Sequence, residues 1–377
     1  MPVNPLLKTV YYFKEIENTA ILWFKASNQW VLLNQINTRV FKELQQKTQA
    51  QQISIQLQTN EKLSQKESVD LINNIKLTIQ TLTQKDFPLP NLKIDIPKVL
   101  TLKPYFLKEV YYKINAKHFK ISYGSVLLYN YIHSPLAHLE TTLPPNKYTN
   151  YEIFEYNARF ALRINNRNAF TTDESSQIKR LFYIELANFL FNKSYTQWLT
   201  FMHASAVAHK DTVLAFASES GGGKSTLCGL LENEGFTLIA DDFLPIDKEK
   251  KNTYSFPALL CVKNQSIQLL KSRNLKPLIE IGNHAYFRTN PKNKRGYYSN
   301  LNFLIFVTYN PTSTTLFSEI DLQEALVYYL KEGWVQPTKQ GAMLFIQWFS
   351  KLKFYKLEYS NNQEAFNAIK SLTDAKK

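Results

Sequence analysis

The sequence predicts a mixed α/β protein in two parts, and three observations predict it. An apolar run at 212–217 meets the stretch Ser218-Glu219-Ser220-Gly221-Gly222-Gly223-Lys224-Ser225, which opens directly into a helical pattern at 226–231. A second apolar run, 235–240, ends in the pair Asp241-Asp242. Two closely spaced prolines in Asp86-Phe87-Pro88-Leu89-Pro90 end a helical pattern and mark a boundary. A chain of 377 residues suits two domains, here 1–88 and 89–377.

In the first part, 19–24 and 30–33 read as a hairpin around the polar turn Ala26-Ser27-Asn28-Gln29. A short helix follows at 37–46, with Val40, Phe41 and Leu44 on one face. A longer helix runs 64–82. Ser64 and Glu67 open it in capping-box spacing, and Val69, Ile72, Ile75, Ile79 and Leu82 recur at helical intervals. Beyond the boundary, 111–114, 118–123, 126–129, 151–154 and 158–164 read as strands. Residues 177–199 read as one long apolar helix leading into His203-Ala204-Ser205-Ala206-Val207. After the Asp pair come strands at 301–308 and 354–359, and helices at 322–330 and 363–372.

Lysine and arginine number 45 against 31 acidic residues, a net charge of +14. That balance favours polyanionic partners without naming one, and no nucleic-acid-binding motif accompanies it. Arg288, Lys292, Lys294 and Arg295 form a basic loop, either a solvated surface or a lid over phosphates. No run approaches the ~18 apolar residues of a membrane span. No basic segment followed by an apolar one opens the chain. A cytoplasmic protein with no membrane or nucleic-acid partner is expected; a homo-oligomer is left open. Cys228 and Cys261 have neither disulfide-framework nor metal spacing and read as buried small apolar residues.

The strand–glycine loop–helix order at 212–231 is the context in which a phosphate-binding loop works. Backbone N–H groups of the loop and helix end face phosphate oxygens, and the helix dipole adds partial positive charge. Glycines let the backbone come close and take positive φ. The expected nucleotide-binding residues are Ser220, Gly221, Gly222, Gly223, Lys224, Ser225 and Thr226. Lys224 neutralises phosphates and Ser225 offers its hydroxyl to Mg²⁺. Carboxylates at the end of a nearby strand hold Mg²⁺ or take a proton from an attacking hydroxyl; the plainer reading is that Asp241 and Asp242 cap a turn. Both can serve only if the strand ends at Asp241 and turns there, because neighbours on a strand point to opposite faces. His118, His133, His138, His209 and His284 read as structural.

Taken together, 203–207, 218–225 and Ala240-Asp241-Asp242, in this order and spacing, resemble the HPr kinase/phosphorylase family, and more closely its branch of related serine kinases. The resemblance spans about residues 110–372 and is specific over 202–245. It implies a phosphoenolpyruvate-carboxykinase-like nucleotide fold. It implies Asp242 as the base on the acceptor serine and Asp241 beside it at the metal. It also implies His203 as an active-site histidine, bonding a phosphate oxygen or orienting Asp242, and Lys224 and Ser225 as phosphate and Mg²⁺ residues. The family's metal-contacting Glu has no counterpart in 257–263, where Lys263 stands instead. Lys263, Arg288 and Arg295 are candidate phosphate or substrate contacts. In the first part, Val31-Leu32-Leu33-Asn34-Gln35-Ile36-Asn37 resembles the turn of PqqD-like domains, small winged-helix-like modules that bind leader peptides. A private structural cap is the alternative.

The expectation is therefore a Mg²⁺-dependent kinase that moves a phosphoryl group from ATP to a hydroxyl, most simply a serine of a peptide or protein bound by residues 1–88. The alternatives are a kinase of free serine or another small alcohol, and a nucleotide-gated peptide-binding protein without catalysis.

Overall fold

The computed structural model describes residues 10–16, 19–83, 96–142, 145–219, 221–288, 296–330 and 333–374. Ser220, the boundary at 86–90 and Lys292, Lys294 and Arg295 of the basic loop lie outside them. The chain is mixed α/β and divides into two compact units. One is Met1–Leu89 with Val335–Gln347; the other is Pro90–Trp334 with Trp348–Lys377. A division at 88/89 does not include this return of 335–347 to the first unit.

The first unit is a three-stranded antiparallel meander, Val10–Ile16, Thr19–Phe24 and Gln29–Leu33. Three helices follow, Gln35–Gln45, Ala50–Glu61 and Gln65–Thr83. The hairpin and the first and third helices were legible; the strand Val10–Ile16 and the helix Ala50–Glu61 were not. Each legible start has its cap. Asn34 Oδ1 accepts from Asn37 N at 2.9 Å. Ser64 Oγ accepts from Glu67 N at 3.2 Å while Glu67 Oε2 accepts from Ser64 N at 2.8 Å, the reciprocal pairing of a capping box. Leu22, Phe24 and Leu33 on one sheet face join Val40, Phe41, Ile72, Ile75 and Ile79 in one core. The middle strand is buried on both faces. On the other face Trp23 lies 6.5 Å from Trp30, and Phe345 packs 6.0 Å from Trp30.

The second unit centres on a six-stranded mixed sheet, in the order Thr237–Ala240, Ser205–His209, Thr212–Ala217, Phe303–Tyr309, Lys353–Tyr359, Leu316–Ile320. Ser205–His209 runs antiparallel to both of its neighbours, while Thr212–Ala217, Phe303–Tyr309 and Lys353–Tyr359 run parallel. The C-terminal ends of four strands and the start of Ser205–His209 therefore share one edge. Beneath it, Phe216, Leu227, Leu231, Ile305 and Leu357 pack into one core.

Two expected elements differ. Residues 126–133 are helical, not extended, because Ser125 caps the segment by accepting from Leu128 N. The long helix is Ser175–Phe191 and stops at Asn192, whose φ of 51° ends it in the left-handed region. Residues 198–202 are instead a strand, paired antiparallel with Leu244–Asp247 in a second sheet. This difference builds the site.

Candidate active site

Two neighbouring passes of the chain cross between the two sheets at the shared edge. Met202 and Leu244 are partners in one sheet, and Ala206 and Ala240 are partners in the other. The residues between them, His203 on one pass and Asp241 and Asp242 on the other, are thus held side by side. The strand ends at Ala240, and Asp242 has φ 63°, a left-handed conformation that Asp tolerates better than most residues. The turn required for both carboxylates to serve one site is present.

The two acids have opposite environments. Asp241 is 2% exposed. Its Oδ1 accepts from Ser225 Oγ at 2.8 Å and from Ser205 Oγ, and its Oδ2 accepts from Cys261 N at 2.9 Å. Burial, reinforced by the charge of Asp242, pushes its carboxyl up to about 6 despite those three donors. Asp242 keeps 43% of its side chain exposed. Desolvation works to raise its carboxyl, but Lys224, His203 and Lys179 outweigh that and hold it below the usual carboxylate range. Lys224 Nζ and His203 Nε2 each lie 3.5 Å from Asp242 Oδ1.

The loop behaves as its glycines require. Gly221 and Gly223 have φ of 86° and 97°. A Cβ on Gly222 would lie 2.7 Å from Ser218 Cβ and 3.1 Å from Val307 O, and one on Gly223 would lie 2.9 Å from the Tyr359 hydroxyl. Tyr309 N donates to Gly222 O at 3.0 Å, tying the loop to the neighbouring parallel strand. The helix Lys224–Asn233 begins at Gly223, and its first backbone bond runs from Leu227 N to Gly223 O. The amides of Lys224, Ser225 and Thr226 precede that ladder, the arrangement of an anion-binding helix end. The Thr226 hydroxyl turns away, donating to Ser266 Oγ at 2.8 Å, so only its backbone remains for a ligand.

Ser225 and Asp241 fit a Mg²⁺ ion. They are one hydroxyl and one carboxylate 2.8 Å apart, and the carboxylate is disfavoured as an isolated charge. Among the described residues no group of three or more His, Cys, Asp or Glu forms a fuller metal site.

Asp242, His203, Lys224, Ser225 and Asp241 are brought together. Lys263 ends the strand Leu260–Lys263 in an exposed position, and Arg288 is exposed beyond the strand His284–Phe287. No hydrogen bond or ion pair ties either of these two to the loop among the described residues. Sequence reasoning missed three contributors. Ser205 opens the strand Ser205–His209, two residues beyond His203 and inside the 203–207 stretch that the sequence singles out. The Cys261 amide has no sequence signal. Neither does Lys179 of the helix Ser175–Phe191, whose charge acts on Asp242.

Among the described residues no helix is long and apolar enough to cross a membrane. No family model and no curated protein matches the chain. Among solved structures, the HPr(Ser) kinase/phosphatase from Coxiella burnetii is similar at a TM-score of 0.25 and 11% sequence identity, over 46% of this chain and 90% of that one. A likeness of that size leaves the chemistry to be argued from the chain's own residues.

Proposed function

We propose that the chain is a kinase with a phosphoenolpyruvate-carboxykinase-like catalytic unit, transferring the γ-phosphoryl group of ATP to a hydroxyl, in the first instance a serine of a peptide or protein. One observation carries this reading. The glycine loop delivers Lys224 to within 3.5 Å of Asp242 Oδ1, on the far side of a turn whose other carboxylate, Asp241, holds Ser225. Donor phosphates, metal and acceptor hydroxyl thereby meet in one place, and phosphoryl transfer asks little more than that alignment and charge neutralisation. Ser225 and Asp241 would hold Mg²⁺, which neutralises charge on the donor phosphates when bound. Lys224 takes phosphate oxygens in exchange for Asp242. Losing that cation raises the basicity of Asp242 as a hydroxyl arrives, and His203 keeps the carboxylate oriented.

The first unit supports a peptide acceptor. The strand Gln29–Leu33 is one of the two outer strands of its meander. A cleft of about 280 Å³ lies between this sheet and the helix Gln65–Thr83, lined by Leu22, Phe24, Val31, Leu71, Ile75 and Ile79 among others. An extended peptide recognised by strand addition needs such an edge beside a row of apolar pockets. The winged-helix-like, PqqD-like reading of this unit rests on the resemblance at 31–37.

The test is label transfer from γ-labelled ATP with MgCl₂ to a serine-containing peptide pool, to free L-serine, and with no acceptor. Transfer that depends on the peptide pool is expected. Transfer to L-serine alone replaces the peptide with a small alcohol. Peptide binding without transfer in any arm leaves the nucleotide-gated binding protein. A second expected result separates the units: Val31→Asp, which charges the cleft, should weaken transfer to peptides about tenfold or more while ATP affinity stays unchanged. That change puts an uncompensated charge into an apolar site. Equal transfer by the variant would make the first unit a structural cap.

A further inference from the structure

We infer that Lys179 is a third cation of the site, placed on the acceptor side to bind the phosphoryl group in transit. The inference rests on the kinase reading above. Lys179 reaches the site from the helix Ser175–Phe191, distant in sequence from both the loop and the carboxylates. Its ammonium lies over two rings, 4.5 Å from the centroid of Tyr131 and 5.4 Å from that of Tyr183. The Tyr183 ring is keyed in turn to the carboxylate turn and its continuation, 5.5 Å from Phe243 and 4.6 Å from Phe256. The helix therefore holds Lys179 at a set position relative to Asp242.

Among the described residues the Lys179 ammonium makes no hydrogen bond and no ion pair. Burial pulls it below the usual lysine range, opposed first by the charge of Asp242 and further by Asp241, while Lys263 adds to the lowering. A half-buried ammonium held over two aromatic faces, with no carboxylate in contact, keeps its N–H donors available for an anion. The in-line reaction supplies that anion. As the acceptor oxygen bonds to phosphorus, the bond from phosphorus to the ADP oxygen breaks, ADP leaves with that electron pair, and the acceptor proton passes to Asp242. The three remaining oxygens of the phosphoryl group then lie between Lys224 on the donor side and Lys179 on the acceptor side. Charge moving toward the acceptor meets a fixed cation there.

The experiment needs no knowledge of the acceptor. MgADP affinity is measured by calorimetry with and without aluminium fluoride, whose complex stands in for the phosphoryl group in flight. The full-length protein should bind MgADP more tightly with fluoride. Lys179→Met should bind MgADP alone as the parent does but lose most of the fluoride-dependent gain, roughly 10²-fold, the scale of losing one transition-state donor. Lys179→Arg should recover much of it. Should the Met variant fail to fold, Lys179→Gln takes its place. An equal gain in the parent and both neutral variants would overturn the role of Lys179. A parent that binds MgADP without any gain would overturn it too, while sparing the nucleotide site. A parent that does not bind MgADP would overturn the kinase reading and this inference with it.

Discussion

Asp242→Asn is expected to cut phosphoryl transfer by roughly 10²–10⁴-fold, the usual range for losing a positioned base, with ATP affinity little changed. The substitution isolates the charge. Asn is close in shape to Asp and accepts the left-handed φ of 63° at this position, so the turn should persist. What is lost is an ionised acceptor that Lys224, His203 and Lys179 hold below the usual carboxylate range. Asp241→Asn should act differently. Asp241 is buried against Ser225, Ser205 and the Cys261 amide, so its replacement should weaken Mg²⁺-dependent nucleotide binding and be partly rescued by more Mg²⁺. Single-turnover kinetics across Mg²⁺ concentrations distinguish the two. Rescue of Asp242→Asn by metal, with none for Asp241→Asn, would exchange their roles. Full transfer by both variants would reduce the pair to a turn cap.

Lys224→Ala is expected to bring nucleotide-dependent activity below detection and to weaken ATP binding roughly 10- to 100-fold, the range for charge-assisted hydrogen bonds at about 1.5–3 kcal/mol. The side chain is 8% exposed, but its ammonium points at Asp242 and not into the core of Leu227, Leu231 and Ile305. Removing it leaves Asp242, still 43% exposed, with solvent and His203 as partners. The melting curve should therefore stay near that of the parent while calorimetry with ATP shows the loss. Unchanged turnover would overturn the phosphate-loop assignment.

The local pieces were legible because each rests on a short-range rule. The Ser64–Glu67 capping box, the hairpin about Ala26–Gln29 and the run of glycines before Lys224 are set within a few residues, and the structure contains all three. The misread segments failed where competition is longer in range. Residues 126–129 are apolar enough for a strand, yet one serine cap turns them into helix. The helix at 175–191 carries an apolar pattern into 198–202, which its sheet partner Leu244–Asp247 claims as a strand. A periodicity does not say which neighbour an apolar run will meet.

The sequence by itself determined the mixed α/β class, the loop with its lysine and hydroxyl, and the carboxylate pair, since these depend on backbone freedom, spacing and residue chemistry along a few neighbouring positions. Only the tertiary structure decided that His203 faces Asp242, because that juxtaposition arises from two chain passes crossing between sheets whose partners lie about forty residues apart. It also decided that the two acids have different surroundings. Identical side chains on adjacent residues differ because one is buried among donors at 2% exposure, while the other turns left-handed toward two cations 3.5 Å away. Burial and neighbouring charge set a carboxylate's behaviour, and both are properties of the fold.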